Sequence, residues 1–183
     1  MLRNRLISFI LLLVPAGAFA QRFSVSANLA DYAASGTINA EASYAASRHF
    51  TAFAGAKYNP FSVPYGGYRA RNKQRSVYAG SRFWPWYAYS GWWLYASAKW
   101  QEFNYGGFKS PATREGDRYG FAAGGGYSYM LNRHLNLEAG AGVYTARETY
   151  REYDCPDCGL MTRRGHRFVM LPADVLLGLS YVF

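Results

Sequence analysis

The sequence predicts an all-β chain, an eight-stranded antiparallel up-and-down transmembrane β-barrel. Three observations predict it. A leader-like N-terminus is followed by no second apolar stretch of spanning length. Rings and small residues dominate, with 17 Tyr, 12 Phe, 5 Trp and 19 Gly at a mean hydropathy of only −0.21. Apolar and polar residues alternate with period two in about eight runs, the spacing at which a strand offers one face to each side.

Residues 1–20 read as a cleavable secretory signal peptide. Arg3 and Arg5 precede an unbroken apolar run from Leu6 to Val14, followed by Pro15 and small residues, and Ala18-Phe19-Ala20 fits the small-x-small cleavage rule. The run is short for a membrane-spanning helix, which needs roughly 20 apolar residues. No Cys follows the cut to carry a lipid anchor. Residues 21–183 then form one domain. Such a domain enters a membrane only as strands, because helices and closed barrels alone satisfy every backbone N–H and C=O in lipid. Girdles of rings at two interfaces, with small and polar residues filling a lumen, account for the composition. The expected location is the outer membrane of a bacterial cell envelope.

The first three strands are predicted over Phe23–Asp31, Thr37–Ala46 and Phe50–Tyr58. A fourth runs from Val77 to Phe83, with Tyr78, Gly80 and Arg82 on its polar face. In the fifth, Trp92, Leu94, Ala96, Ala98 and Trp100 alternate with Trp93, Tyr95, Ser97, Lys99 and Gln101. From Tyr119 to Tyr129, rings cap both ends of a run of small residues. The seventh sets Leu135, Leu137, Ala139, Ala141 and Val143 against Asn136, Glu138, Gly140, Gly142 and Tyr144. Counting back from the end, Phe183, Tyr181, Leu179, Leu177, Val175 and Ala173 share one face of the last strand, with Val182, Ser180, Gly178, Leu176 and Asp174 on the other. Its terminal Phe183 resembles the signal by which barrel-assembly machinery recognises such chains.

The connections alternate in length. Ser47-Arg48-His49, Asn132-Arg133-His134 and the Trp84–Ser90 link, interrupted by Pro85, suit short inner turns, the last carrying rings for the inner girdle. Asn59–Gln74, Asn104–Asp117 and Arg151–His166 read as long polar outer loops, while the link near Ala33–Gly36 is short for that side.

The polar faces place Glu41, Lys57, Arg82, Lys99, Glu138 and Asp174 in the lumen, three acids facing three bases. Eight strands make a barrel just wide enough to be filled by its own side chains. Charges taken out of water must pair, so the expected arrangement is an ion-paired plug. A gated polar pathway is one alternative and catalysis another. Cys155-Pro156-Asp157-Cys158 has redox-motif spacing but lacks the helical context of a redox protein; a structural disulfide between Cys155 and Cys158 at a loop tip is expected. Zinc would need more ligands than these and the distant His166. No metal or cofactor is expected.

An enzyme would need a nucleophile and a base at one rim. His49 and His134 fall in inner turns, and His166, crowded by Arg163, Arg164 and Arg167, carries no tight motif. The expectation is a non-enzymatic protein, with a lipid-modifying enzyme and a narrow channel as rivals. Arg69, Arg71, Lys73 and Arg75 alternate beside Tyr65-Gly66-Gly67-Tyr68. Of 20 Lys and Arg, two lie in the leader, so 18 bases stand against 11 acids beyond it, a charge of +7. In an exported chain the anionic partner this suggests is lipopolysaccharide phosphate and not nucleic acid, because bases at an anionic membrane surface gain about 1 kcal/mol each. A merely solvated loop explains the same pattern.

Several stretches together resemble a family of uncharacterised Bacteroidota outer-membrane barrels, classed only as a domain of unknown function and often encoded near fimbrial genes. They are Asn28-Leu29, the Glu41 strand with Arg48-His49-Phe50, Tyr65-Gly66-Gly67-Tyr68, Ser81-Arg82-Phe83-Trp84, the segment Asn132–Glu138, Gly140-Ala141-Gly142-Val143-Tyr144, and Gly178–Phe183. The resemblance implies an outer-membrane barrel with a structural or surface-interaction role and a fimbrial or other surface protein as partner. It supplies no catalytic residue.

Overall fold

The computed structural model describes residues 22–65, 68–107, 111–154, 160–173 and 175–183. The leader, Asp174 and the Cys155/Cys158 pair lie outside these residues, as does the side chain of Arg69. The described elements are β1 (Phe23–Asn28), α1 (Leu29–Ser35), β2 (Ile38–Ala45), β3 (Phe50–Asn59), β4 (Ser62–Tyr65), β5 (Tyr68–Phe83), β6 (Gly91–Gly106), β7 (Thr113–Met130), β8 (Leu135–Tyr153), β9 (Met161–Pro172) and β10 (Leu176–Val182).

All pairings are antiparallel, and β1 pairs with β10 to close the sheet into an eight-stranded barrel. Strands β3 and β4 lie in succession along β5, and β10 and β9 along the lower and upper parts of β8; the lower end is the one with Arg22 and Phe183. Cross-strand partners lead from Val25 through Ala42, Ala54, Ala79, Ala98 and Phe121 to Thr145 on β8; the other way, through Tyr181, they lead to Leu135, a stagger of ten residues. With about 3.3 Å per residue and about 4.8 Å between strands, that stagger tilts the strands by roughly 40°, the value of small closed barrels.

Along the belt the predicted faces are the observed ones, except at Ala173. On the outside, Val25, Ile38, Val77, Leu94, Phe121, Val143 and Leu177 are exposed. Phe23, Tyr44, Phe50, Phe83, Trp92, Tyr127, Tyr181 and Phe183 ring the lower end of this belt. At its upper end Val77, Trp100, Tyr119, Arg147 and Phe168 face one another in a single register row. From Trp92 to Trp100 the strand rises about 26 Å, or about 20 Å along the barrel axis at this tilt.

Four expectations need correction. Strand β1 stops at Asn28, short of Asp31, because Asn28 caps a helix: its side chain accepts from Ala30 N at 3.2 Å, and Gly36 closes the helix with φ of 68°. This helix is what makes the connection near Ala33–Gly36 look short. The outer links are largely strand: β5 to β9 continue past the belt as a projecting sheet. Both faces there are polar, which erases the alternation, while cross-strand ion pairs such as Arg75–Glu102 and Arg114–Glu152 accompany the ladder. Pro172 stands opposite Val143 and Leu176 opposite Gly140, so the register against β8 shifts by one residue between β9 and β10. This shift resets the alternation, so Ala173 is buried inside and not on the outer face. In the Trp84–Ser90 link, Trp86 and Tyr87 are exposed as expected of a girdle, but Trp84 and Tyr89 turn inward and are buried.

Candidate functional site: the lumen and the projecting sheet

The lower mouth is closed by the Trp84–Ser90 link. Trp84 is fully buried, packs with Tyr89, Trp93 and Val182, and donates from Nε1 to Thr51 Oγ1 at 3.1 Å. Tyr89 adopts φ of 65°, unusual for a bulky side chain. Its carbonyl accepts from Asn136 Nδ2 at 2.8 Å and Ser128 Oγ at 3.3 Å, and its hydroxyl bonds Ser43 and the Arg22 carbonyl, which together fix the conformation. Burial raises the pKa of the Tyr89 phenol. The ring nitrogens Nδ1 of His49 and His134 lie 2.9 Å from the carbonyls of Trp84 and Val182, so these histidines brace the lower end.

Above this plug sits the predicted charge cluster. Arg82 reaches Glu41 at 2.6 Å and Glu138 at 3.3 Å, and its guanidinium lies 4.9 Å from the ring centres of both Phe53 and Trp93. Ser180 Oγ donates to the second oxygen of Glu138 at 3.0 Å. Lys57 pairs with Asp31 at 2.5 Å, a partner supplied by α1 and therefore missed while that segment was read as strand. Lys99 stacks over Tyr144, with its Nζ 5.3 Å from the ring centre. All five described members of the predicted set thus line one cavity of about 60 Å³, room for about four waters. Among the described residues, Arg82 Nε and Trp93 Nε1 have no hydrogen-bond partner there.

Glycines shape the wall behind these rings. A Cβ on Gly126 or Gly140 would stand 2.5 or 2.7 Å from the Trp93 ring; on Gly124 or Gly142 it would meet Tyr95 at 2.7 or 2.4 Å. The run of small residues in β7 and β8 is the bed on which two lumen rings lie.

A second charge cluster, absent from the predicted set, continues the inner face above the belt. Glu148, 1% exposed, is held by Arg118 and Arg167, and Arg118 lies 3.9 Å from the Phe103 ring centre. Carrying the β8 alternation past Tyr144 and Ala146 would have placed Glu148 inside. Replacing Glu148 with Gln should lower stability by about 1–2 kcal/mol in denaturant titration, because both arginines are partly exposed and water compensates them.

The outer face of the projecting sheet has a different order. Arg71, Lys73 and Arg75 of the predicted comb point outward; Arg75 pairs with Glu102 and lies over Trp100. His166 is also outward and exposed, its Nδ1 3.0 Å from Thr149 Oγ1. Among the described residues, no three His, Cys, Asp or Glu side chains are placed to hold a metal ion.

One family model matches the chain, over residues 6–183, and its description is that of a protein of unknown function, DUF3575. No curated protein and no solved structure matches the chain.

Proposed function

Because the chain belongs to the DUF3575 family, which carries no described activity, we propose from its architecture a non-enzymatic outer-membrane barrel with a sealed lumen and a structural or surface-interaction role. One observation carries this reading: a closed barrel with a ten-residue stagger wears an exposed apolar belt between two rows of rings while its interior is filled with paired charges and rings. A belt of about 20 Å between the rings is near the roughly 25 Å of outer-membrane barrels. The leader-like residues 1–20 and Phe183, the proposed signal for the assembly machinery, support the same location. No described helix is long and apolar enough to cross a membrane, so any crossing would be made by the strands.

A lumen closed below by Trp84 and Tyr89 and crossed by the Arg82 cluster argues against conduction and for a surface role. The resemblance to barrels encoded near fimbrial genes suggests a fimbrial partner, met by the projecting sheet.

Heat-modifiability tests the location. Expressed with its leader and recovered from outer membranes, the chain should migrate faster unboiled than boiled on SDS gels. In planar bilayers it should give no steady conductance. A single band in the soluble periplasmic fraction would overturn the barrel-in-membrane reading, and stable single-channel steps would overturn the sealed lumen.

A further inference from the structure

On the inner face Arg82, Lys57, Arg118, Arg167 and Arg114 each meet a carboxylate, and Lys99 lies over the Tyr144 ring. The outer face of β8 and β9 is different. Arg147, Arg151 and Arg164 are exposed and, among the described residues, meet no ion-pair or side-chain hydrogen-bond partner. Arg151 and Arg164 are direct cross-strand partners on the same face, and Glu115 stands opposite Arg151 on the other side, so one carboxylate serves a like-charge pair and Arg164 has none opposite it. The outward side chains of these two strands include no acid from Val143 to Tyr153 or from Thr162 to Pro172. The nearest carboxylates are on β7: Glu115, the direct cross-strand partner of Arg151, which also accepts from Tyr153 and Asn104, and Asp117, opposite Thr149.

What lies below this cluster is as telling. Arg147 faces Phe168 in register, and Thr145 faces Met170 one step lower; Phe168 and Met170 are 71% and 70% exposed. Tyr119 flanks Arg147 on the other side. Arg147 therefore stands beside large exposed apolar side chains at the upper edge of the belt, with Arg151 and Arg164 four residues further up the two strands. The occupant that fits both halves is an amphiphile with an anionic head and acyl chains.

We propose that the outer face of β8 and β9 is a binding site for the phosphate groups of a lipid of the outer leaflet, lipid A, with Arg147, Arg151 and Arg164 on the phosphates and Phe168 and Met170 against an acyl chain. The site rests on the outer-membrane reading above. It differs from the Arg71–Arg75 comb, where Arg75 is already neutralised by Glu102. It also accounts for Arg164, one of the arginines around His166, without giving that histidine a catalytic task.

The test compares the full chain with Arg151→Gln/Arg164→Gln and, as a control of equal charge change in the turns of the lower end, Arg48→Gln/Arg133→Gln. Each is purified from outer membranes in mild detergent, checked for the fast unboiled band, and measured for retained lipid A by mass spectrometry. Affinity is then read with vesicles containing bisphosphorylated or dephosphorylated lipid A. Loss of two surface charges should weaken binding to the phosphorylated vesicles on the order of 30-fold, with the control within about threefold. Equal retention by both variants, equal loss in both, or no preference for phosphorylated vesicles would overturn the site. Full competition by millimolar inorganic phosphate would also overturn it, by making the ligand free phosphate. Failure of the chain to fractionate with outer membranes would instead strike the reading on which the site rests, before any lipid is measured.

Discussion

Replacing Arg82 with methionine is expected to lower the unfolding free energy by about 3–5 kcal/mol, the cost of breaking a buried ion pair from one side. Arg82 is the one cation between Glu41 and Glu138, and all three side chains are under 10% exposed. Without it two carboxylates face each other away from water, and each must be protonated or rehydrated. The rings of Phe53 and Trp93 lose a cation at the same time. The midpoint is measured as loss of the fast unboiled band across a urea series in detergent. Adding Glu41→Gln and Glu138→Gln to the Arg82→Met chain should recover most of the loss, because no charge is then left stranded. A single variant as stable as the parent would show that the triad is not what fills the lumen.

The second large effect is expected at Gly126. In Gly126→Val, the Cβ alone would stand 2.3 Å from the Ala139 carbonyl oxygen and 2.5 Å from the Trp93 ring. Neither can yield cheaply, since one is backbone of the adjacent strand and the other is a core ring 2% exposed. Overpacking of this kind costs about 1–3 kcal/mol, and displacement of Trp93 towards water should shift the tryptophan emission to the red. Gly165→Ala is the contrast: its nearest neighbour is the Tyr150 hydroxyl at 3.0 Å, the far end of a side chain that can swing, and stability should change little. Equal tolerance at the two positions would contradict the close stacking of Trp93 on the β7–β8 wall.

The two experiments probe different layers of the same lumen. Arg82 reports on how buried charge is compensated; Gly126 reports on how rings are seated. The plug at Tyr89, the triad and the glycine bed meet at Trp93, which packs with Trp84, stacks on Arg82 and covers Gly126.

What the sequence determined by itself is the identity of the two faces. Alternation depends only on a residue's neighbours in the chain, so Glu41, Lys57, Arg82, Lys99 and Glu138 could be put inside, and Phe183, Tyr181 and Leu179 outside, without any knowledge of pairing. That rule fails where its premise fails: at Asn28, where a cap turns strand into helix; at the register shift that sends Ala173 inward; and beyond the belt, where both faces are polar. The tertiary structure alone decided which acid meets which base. Arg82 lies 41 residues from Glu41 and 56 from Glu138, and the ten-residue stagger brings them to one level. Asp31 meets Lys57 only because α1 delivers it, and Arg151 faces Arg164 only because β9 folds back along β8. Side-chain direction is a local property of the extended backbone, whereas the level of each side chain in a barrel is fixed by how all the strands close.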